Sequence, residues 1–417
     1  MSDGLNILLI TARRPHPPTA GDRQRTNLLY RALAKVGHVE TLMLLSADQV
    51  DEAERLELEA RFNVVGWLRP RRHGQVGGWR LIRPLHPQWV DRIAHNLGRT
   101  AVEYAADPHA AAWLSRRMQQ QRYDLIVARY LPAAAKSGAL QADVPVIVDV
   151  DDLDTQVYRT RLEVPGLAGW RRRVVLRHLR QLEAIVPPLL KRAAHLWLVS
   201  ELDRPLVDHT SVSVLPNIPF VAEDVQAALP VCRETPTDSR SVLMVGSLTH
   251  RVNRDGLDRF VDRAWPQIHR RCPDAAFRIV GSGMTRALAQ RYATTAGVEP
   301  VGFVDDVAQA YAQCAFAVSP LFEGGGTKIK VLESFMHGRT GVVTQHALRG
   351  YEHVLKHRES VWQADDEGGL VAGCVALLND AAMRQQMAAR GRQVVQHHFS
   401  FDVFRRVVAQ TVAQVVG

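Results

Sequence analysis

Apolar residues along this chain come in short runs of strand length, separated by longer stretches of helical periodicity. The first run, Leu5-Asn-Ile-Leu-Leu-Ile10, reads as a buried strand, and a Pro-rich turn and a helical pattern over 22–35 follow it. Residues 39–45 give a second strand, 51–60 a polar helix and 63–68 a third strand. Residues 123–128, 145–150, 195–200 and 212–215 continue the strand series, each bounded by turn or polar positions. Strands alternating with helices predict parallel-sheet α/β architecture. Between 216 and 240 the pattern lapses into Pro, acidic residues, Thr and Ser, which reads as a linker. The alternation then restarts. Strands are expected at 241–246, 276–280, 314–319 and 341–344, with helices at 255–271, 284–295 and 327–337. Residues 366–416 read as almost wholly helical, with one break near Phe399-Ser400. Two α/β halves of similar size place ligands at the carboxyl ends of their strands, in a cleft between domains.

Composition narrows the class. The 417 residues suit two or three domains, and 46% hydrophobic with 23% charged excludes disordered and fibrous chains. No run of 18 apolar residues spans a bilayer, and the first residues lack the basic leader of a secretory signal. Four cysteines (232, 272, 314 and 374) lie far apart without a CxxC pair, so no metal site and no disulfide framework is expected; a reduced cytoplasm fits. The formal net charge is +9, and only six of the 52 cations are lysines. That excess favours polyanionic partners without choosing among nucleic acid, anionic membrane and phosphorylated ligands.

The window richest in chemistry is Ser319-Pro-Leu-Phe-Glu-Gly-Gly-Gly-Thr-Lys-Ile-Lys-Val-Leu-Glu-Ser-Phe-Met-His-Gly338. A strand ends, Gly324, Gly325 and Gly326 follow Glu323, and Thr327 is expected to cap a helix carrying Lys328, Lys330 and Glu333. Glycines let a ligand approach the backbone, and free N–H groups with the helix dipole attract phosphate. Lys328 and Lys330 stand two apart, so they are expected on different sides of the helix. Glu333 is placed to accept hydrogen bonds from ribose hydroxyls. The plain alternative is an ordinary βα loop before a surface helix.

This window and three others, in the same order, resemble the nucleotide-sugar-binding domain of the group 1 (family 4) glycosyltransferases. The others are Val242-Leu-Met-Val-Gly-Ser-Leu248, Phe277-Arg-Ile-Val-Gly-Ser-Gly283 and Val301-Gly-Phe-Val-Asp-Asp306. The resemblance is clear over 241–399 and weaker before, where Leu198-Val-Ser-Glu-Leu-Asp203 and Leu215-Pro-Asn217 carry it. It implies the GT-B fold: an α/β chain of two Rossmann-like domains whose parallel sheets face across a cleft, with C-terminal helices. The implied layout is an acceptor-binding domain at 1–220, a linker at 221–240, a donor-binding domain at 241–398 and a C-terminal helix at 399–417 returning to the first domain. Gly246, Ser247 and Gly281 fall in the donor-binding loops, and Arg251 is the nearest basic residue to pair with the donor diphosphate, with Arg254 and Arg259 competing. The family carries two glutamates separated by seven residues, and here the earlier position holds Gly325, with Glu323 displaced by two. Glycine-rich versions of this loop resemble a subgroup of the family.

In the first half, Gly21 with Asp22 as cap opens a helix where family members bring backbone near the donor phosphates, and Arg23 and Arg25 are candidates for an anionic acceptor. Asp151 and Asp152 close the strand over 145–150, where carboxylates could orient an acceptor hydroxyl or act as base; a solvated acidic turn is the alternative. The family's usual first-domain histidine is missing from Val127-Ala-Arg-Tyr-Leu131, and Arg129 stands in its place.

Residues 158–192 carry a local net charge of +7. Val174, Val175, Leu179 and Leu182 form a stripe at helical spacing behind Trp170, a pattern that fits either an anionic membrane surface or a solvated helix on a core. Arg69, Arg71, Arg72, Arg80, Arg83 and Arg92, with Trp79 and Trp89, form a second basic patch. No nucleic-acid module is evident.

The reading implied is a retaining, metal-independent glycosyltransferase without a cofactor, its nucleotide-sugar being a co-substrate and its acceptor a glycan or lipid-linked sugar. Cell-surface polysaccharide or glycoconjugate synthesis is the expected setting, in the cytoplasm or peripherally on the inner face of its membrane. A nucleotide-sugar epimerase of the same fold and a catalytically silent membrane-associated scaffold are the alternatives.

Overall fold

The computed structural model describes residues 4–18, 20–69, 81, 103–163, 169–219, 238–324 and 326–417. The expected linker lies outside these residues apart from 238–240, as do Gly325 and the second basic patch beyond Arg69. The chain forms two compact units, one of Met1–Pro216 with Phe401–Gly417 and one of Asn217–Ser400.

The first unit is a seven-stranded parallel sheet of β1 (Leu5–Thr11), β2 (Gly37–Met43), β3 (Val64–Trp67), β4 (Leu125–Arg129), β5 (Val146–Asp151), β6 (His195–Leu198) and β7 (Val212–Val214). Their order is β3-β2-β1-β4-β5-β6-β7. The central strands are buried along their whole lengths, as helix-covered parallel strands must be. The register sets Thr11 beside Arg129, and Arg129 beside Asp149. Helix Gly21–Leu33 follows β1, and the C-terminal helix Phe401–Val416 lies against it. Arg31 covers the ring of Phe401 at 4.6 Å, and the buried Trp197 donates to Thr411 Oγ1 at 3.0 Å.

Charged side chains join the strand ends within this unit. Arg25 donates to both carboxylate oxygens of Asp149 at 2.6 and 3.0 Å and to the Leu215 carbonyl at 3.0 Å. Arg129 lies 3.3 Å from Asp149 and donates to Asp151 at 2.6 Å. Arg25, Arg129 and Asp149 are all buried. The expectation that Arg25 meets an acceptor is thereby corrected, because its guanidinium is committed to Asp149. Asp22 also does not cap its helix. Ala20 holds that position, and Asp22 lies in the first turn, 3.3 Å from Arg13.

Among the described residues of this unit, three helices escape the periodicity: Pro108–Gln120, Leu131–Ser137 and Asp154–Leu162. The first had a readable start, since Asp107 caps the N–H groups of His109 and Ala110 and proline opens the helix. The basic segment continues as helix Gly169–Leu190. Leu179 and Leu182 face inward and are buried, Val174 and Val175 are half-buried, and the exposed face carries Trp170, Arg171, Arg172, Arg173, Arg177 and Arg180.

The second unit is a six-stranded parallel sheet in the order β10-β9-β8-β11-β12-β13. Its strands are β8 (Ser241–Val245), β9 (Ala276–Val280), β10 (Val298–Gly302), β11 (Phe316–Ser319), β12 (Gly341–Thr344) and the short edge strand β13 (Trp362–Ala364), too short for its pattern to register. Helix Arg251–Arg259 starts four residues earlier than expected and runs through a π turn, Phe260–Ala264, into Trp265–Arg271. Pro266 cannot donate a helical hydrogen bond, and the wider turn accommodates that loss. Phe260, Trp265 and Phe277 form the aromatic heart of this core, with Phe277 centroids 4.9 and 5.3 Å from the other two. The helical tail breaks at Asp380, where the carboxylate caps Ala381–His398, as well as near Ser400.

Helix Ala381–His398 meets helix Ile329–Met336 at Gly391, where a Cβ would sit 2.1 Å from the buried Phe335 ring. Gly391→Ala should therefore lower stability by about 1–3 kcal/mol through overpacking, read as a fall in urea midpoint. Asp149→Ala leaves two buried guanidinium groups short of a counter-charge and should cost about 3–5 kcal/mol in the unfolding of the first unit. An unchanged urea midpoint in either variant contradicts the corresponding contact.

Candidate functional site

Strand order reverses between β1 and β4 in one unit and between β8 and β11 in the other. Loops leaving such a pair diverge to opposite faces and open a crevice at the strands' carboxyl ends. The second unit's crevice is built largely from backbone. A Cβ on Gly281, at the end of β9, would lie 1.9 Å from the carbonyl oxygen of Gly246 at the end of β8. Glycine at 281 is thus required by close approach as well as by its φ of 154°. Ser247 accepts from Ser282 Oγ at 2.9 Å beside it.

On the β11 side, Gly324 and Gly326 take positive φ, and the Gly324 carbonyl accepts from His346 Nε2 at 2.9 Å. Burial, with the charge of Lys328 nearby, pushes His346 down to about 4, so it holds the loop as a neutral imidazole at pH 7. Thr327 does not cap the next helix. Its hydroxyl accepts from Asn217 Nδ2 at 3.1 Å, and Lys328 occupies the cap position of Ile329–Met336 without a side-chain hydrogen bond to the helix. The first-turn N–H groups therefore have no side-chain cap competing with an anion.

Lys328 donates to the Gly326 carbonyl at 3.0 Å, and Lys330 donates to Asn253 Oδ1 at 2.8 Å. Burial lowers the Lys330 pKa to about 8, helped by Lys328 and opposed by Glu333. Lys328 precedes the helix, so helical spacing does not govern the pair, and the two ammonium groups meet different partners. Lys330 carries its charge at pH 7 and loses it as pH rises past 8. One turn on, Glu333 is raised by burial, against the pull of Lys330, and Tyr311 Oη stands 3.5 Å from its Oε2.

Arg251 reaches the site from the helix after β8. It pairs with Glu323 Oε1 and with Asp255, each at 2.7 Å. Glu323 is 9% exposed, and its Oε2 has no hydrogen-bond partner. Arg259, a sequence competitor of Arg251, pairs with Glu367 and covers the Phe322 ring at 3.8 Å. The crevice therefore brings together Gly246, Ser247, Arg251, Gly281, Glu323, Gly324, Gly326, Thr327, Lys328, Lys330 and Glu333.

Four contributors were missed in the sequence: His346, described above, and Asn253, Tyr311 and Arg339. Asn253 sits in the first turn of a helix, where a short amide hints at a side-chain task. Tyr311 gave no signal. Arg339 is fully buried and donates to the carbonyls of Tyr311, Ala312, Cys314, His337 and Gly338. It thus ties the ends of helices Val307–Gln313 and Ile329–Met336 together, which fixes Tyr311 against Glu333.

In the first unit the corresponding crevice gathers Arg129 and Asp151, with Asp152 half-exposed beside them. Tyr130, also missed, lies 3.1 Å from Arg129 Nη2 and 3.2 Å from Asp151 Oδ2 through its hydroxyl. Tyr130 and Asp151 hold φ of 74° and 56°, costly for non-glycine residues and held by the surrounding bonds. Gly21 is exposed and Arg23 half-exposed at the start of the helix after β1. Among the described residues no cluster of His, Cys, Asp or Glu is gathered to hold a metal ion. None of their helices is long and apolar enough to cross a membrane.

Comparison with known proteins follows the same division. The family model described as Glycosyl transferases group 1 matches residues 239–380. No curated protein matches the sequence significantly. Sucrose-phosphate synthase from Thermosynechococcus elongatus is 18% identical with a TM-score of 0.65, each chain covered to 99%. HepE of Anabaena, solved with UDP and glucose, is 13% identical with a TM-score of 0.62 over 98% of this chain and 100% of its own. WaaG, a glycosyltransferase involved in lipopolysaccharide biosynthesis, is 15% identical with a TM-score of 0.62 over 97% and 99%. The chain thus has the α/β fold of the GT-B glycosyltransferases, and residues 239–380 are similar to the group 1 glycosyltransferase model.

Proposed function

We propose that this chain is a retaining, hexosyl-type glycosyltransferase of family 4, glycine-rich-loop subgroup. It takes a nucleotide-diphosphate sugar in the second unit and transfers the sugar to a glycan or lipid-linked acceptor served by the first. The single observation that carries the reading is the Lys330–Glu333 turn beside an uncapped helix start. A cation for phosphate and a carboxylate for ribose stand one turn apart above glycine backbone. The neighbours HepE, solved with UDP and with UDP-glucose, and a TarM mutant of S. aureus, solved with UDP, Fondaparinux and alpha-GlcNAc-glycerol, support a nucleotide sugar and a glycan acceptor.

In this reading the bond from the sugar's anomeric carbon to the diphosphate breaks, and negative charge grows on the departing phosphate oxygens. Lys330, Arg251 and the first-turn N–H groups stabilise that charge, so no resident cofactor is needed. Glu323, with a free carboxylate oxygen, takes the sugar hydroxyls from its displaced position. Asp151 and Asp152 orient the acceptor hydroxyl, the buried Arg129 holding Asp151 in place rather than meeting the acceptor as the sequence suggested, and Arg23 meets an anionic group on the acceptor. The setting is cell-surface polysaccharide or glycoconjugate synthesis on the cytoplasmic side of a membrane.

Calorimetry with UDP, ADP and GDP tests the donor site. One of them should bind, and Glu333→Ala should weaken it by about 1.5–3 kcal/mol, the range for a hydrogen bond to a charged group. Unchanged affinity in the folded variant removes Glu333 from the site.

The exposed arginines of helix Gly169–Leu190, with Trp170 63% exposed at its head, support peripheral contact with an anionic membrane. Replacing Arg171, Arg172, Arg173 and Arg177 with Gln should abolish cosedimentation with phosphatidylglycerol vesicles at low salt and leave nucleotide affinity intact; high salt should mimic the change. Wild-type protein that ignores such vesicles points to an acceptor in solution.

A further inference from the structure

Lys330 does not stand in the crevice unsupported. Its ammonium donates to Asn253 Oδ1 at 2.8 Å, while Asn253 Nδ2 donates to the Ser247 carbonyl at 2.8 Å. A carbonyl only accepts and an ammonium only donates, so the orientation of this amide is fixed by its partners. The three groups are closely nested: a Cβ on Gly246 would come within 2.9 Å of Lys330 Nζ and 3.2 Å of Asn253 Nδ2. Asn253 thereby joins the loop after β8 to the helix after β11, across the reversal of strand order.

The geometry points to Asn253 as a positioning residue that aims the Lys330 ammonium at the donor diphosphate while leaving its charge intact. This rests on the nucleotide-site reading above. A neutral amide fixes the direction of the ammonium without cancelling its charge. A carboxylate at that point would fix it and compete with the phosphate. Arg251 shows the contrast two residues earlier, since its guanidinium is paired with the carboxylates of Glu323 and Asp255, which a phosphate has to displace before it meets that cation. The charged groups that act on Lys330 from its own stretch of chain are Lys328 and Glu333, and from the helix after β8 the side chain that meets it is the neutral Asn253.

The test measures binding of the best-bound diphosphate of the UDP, ADP and GDP panel, its parent nucleoside and inorganic pyrophosphate. Asn253→Ala should weaken the diphosphate and pyrophosphate about tenfold, as expected for loss of one oriented charged hydrogen bond, and leave the nucleoside unchanged. Asn253→Asp, nearly isosteric, should weaken both by at least as much. It should also move the pH at which diphosphate binding falls away upward from about 8, because a carboxylate holds the lysine proton. Unchanged diphosphate affinity in either folded variant overturns the inference, and so does an equal loss of nucleoside binding, which marks a merely structural residue. Wild-type protein that binds none of the three diphosphates overturns the nucleotide reading itself, a result distinct from normal binding by Asn253→Ala.

Discussion

The reversal of strand order between β1 and β4, and again between β8 and β11, is the constraint on which the rest of the molecule depends. In a parallel sheet every connection crosses over, so helices cover both faces and the strands become continuous apolar runs. Polar chemistry is thereby expelled to the strand ends. Where neighbouring strands send their chains to opposite faces, the ends stay uncovered and the loops must satisfy themselves or a ligand.

The two units resolve that demand differently. In the first, charge is matched to charge: Arg25, Asp149, Arg129 and Asp151 alternate in sign through the buried strand ends. Such a chain of pairs resists removal of any member more than it adds net stability, since a buried ion without its partner keeps its full desolvation cost. Strained backbone at Tyr130 and Asp151 persists because these bonds hold it.

In the second unit the lysines beside the glycine turn meet neutral groups. Lys330 is bound to an amide, Lys328 to a carbonyl, and Glu323 keeps one carboxylate oxygen unpartnered although buried. An incompletely satisfied low-dielectric crevice is poised for an anion with hydroxyl donors. Its precision comes from groups farther back. His346 holds the glycine loop by its carbonyl, and Arg339 locks two helix ends together beneath Tyr311 and Glu333. Neither arrangement asks the glycine loop to hold its own shape.

What the sequence determined by itself was the class of architecture and the residues of the glycine-rich turn. Both are written locally, in apolar runs of strand length and in a short window where glycines, lysines and a glutamate stand at fixed spacing. Helices without a clear stripe, such as Leu131–Ser137, and the three-residue strand Trp362–Ala364 left no periodicity to read. Partner choice was decided only by tertiary structure. Arg25 looked like an exposed cation at a helix start, yet it pairs with Asp149, 124 residues away, and Lys330 meets Asn253, 77 residues away. The stripe over Val174–Leu182 likewise fits a core and a membrane equally well in sequence; Leu179 and Leu182 are buried, Leu182 within the core cluster, while Val174 and Val175 are half-buried. Hydrophobic pattern encodes which face of an element is apolar, while the partner of a charge depends on which strand ends the topology brings together.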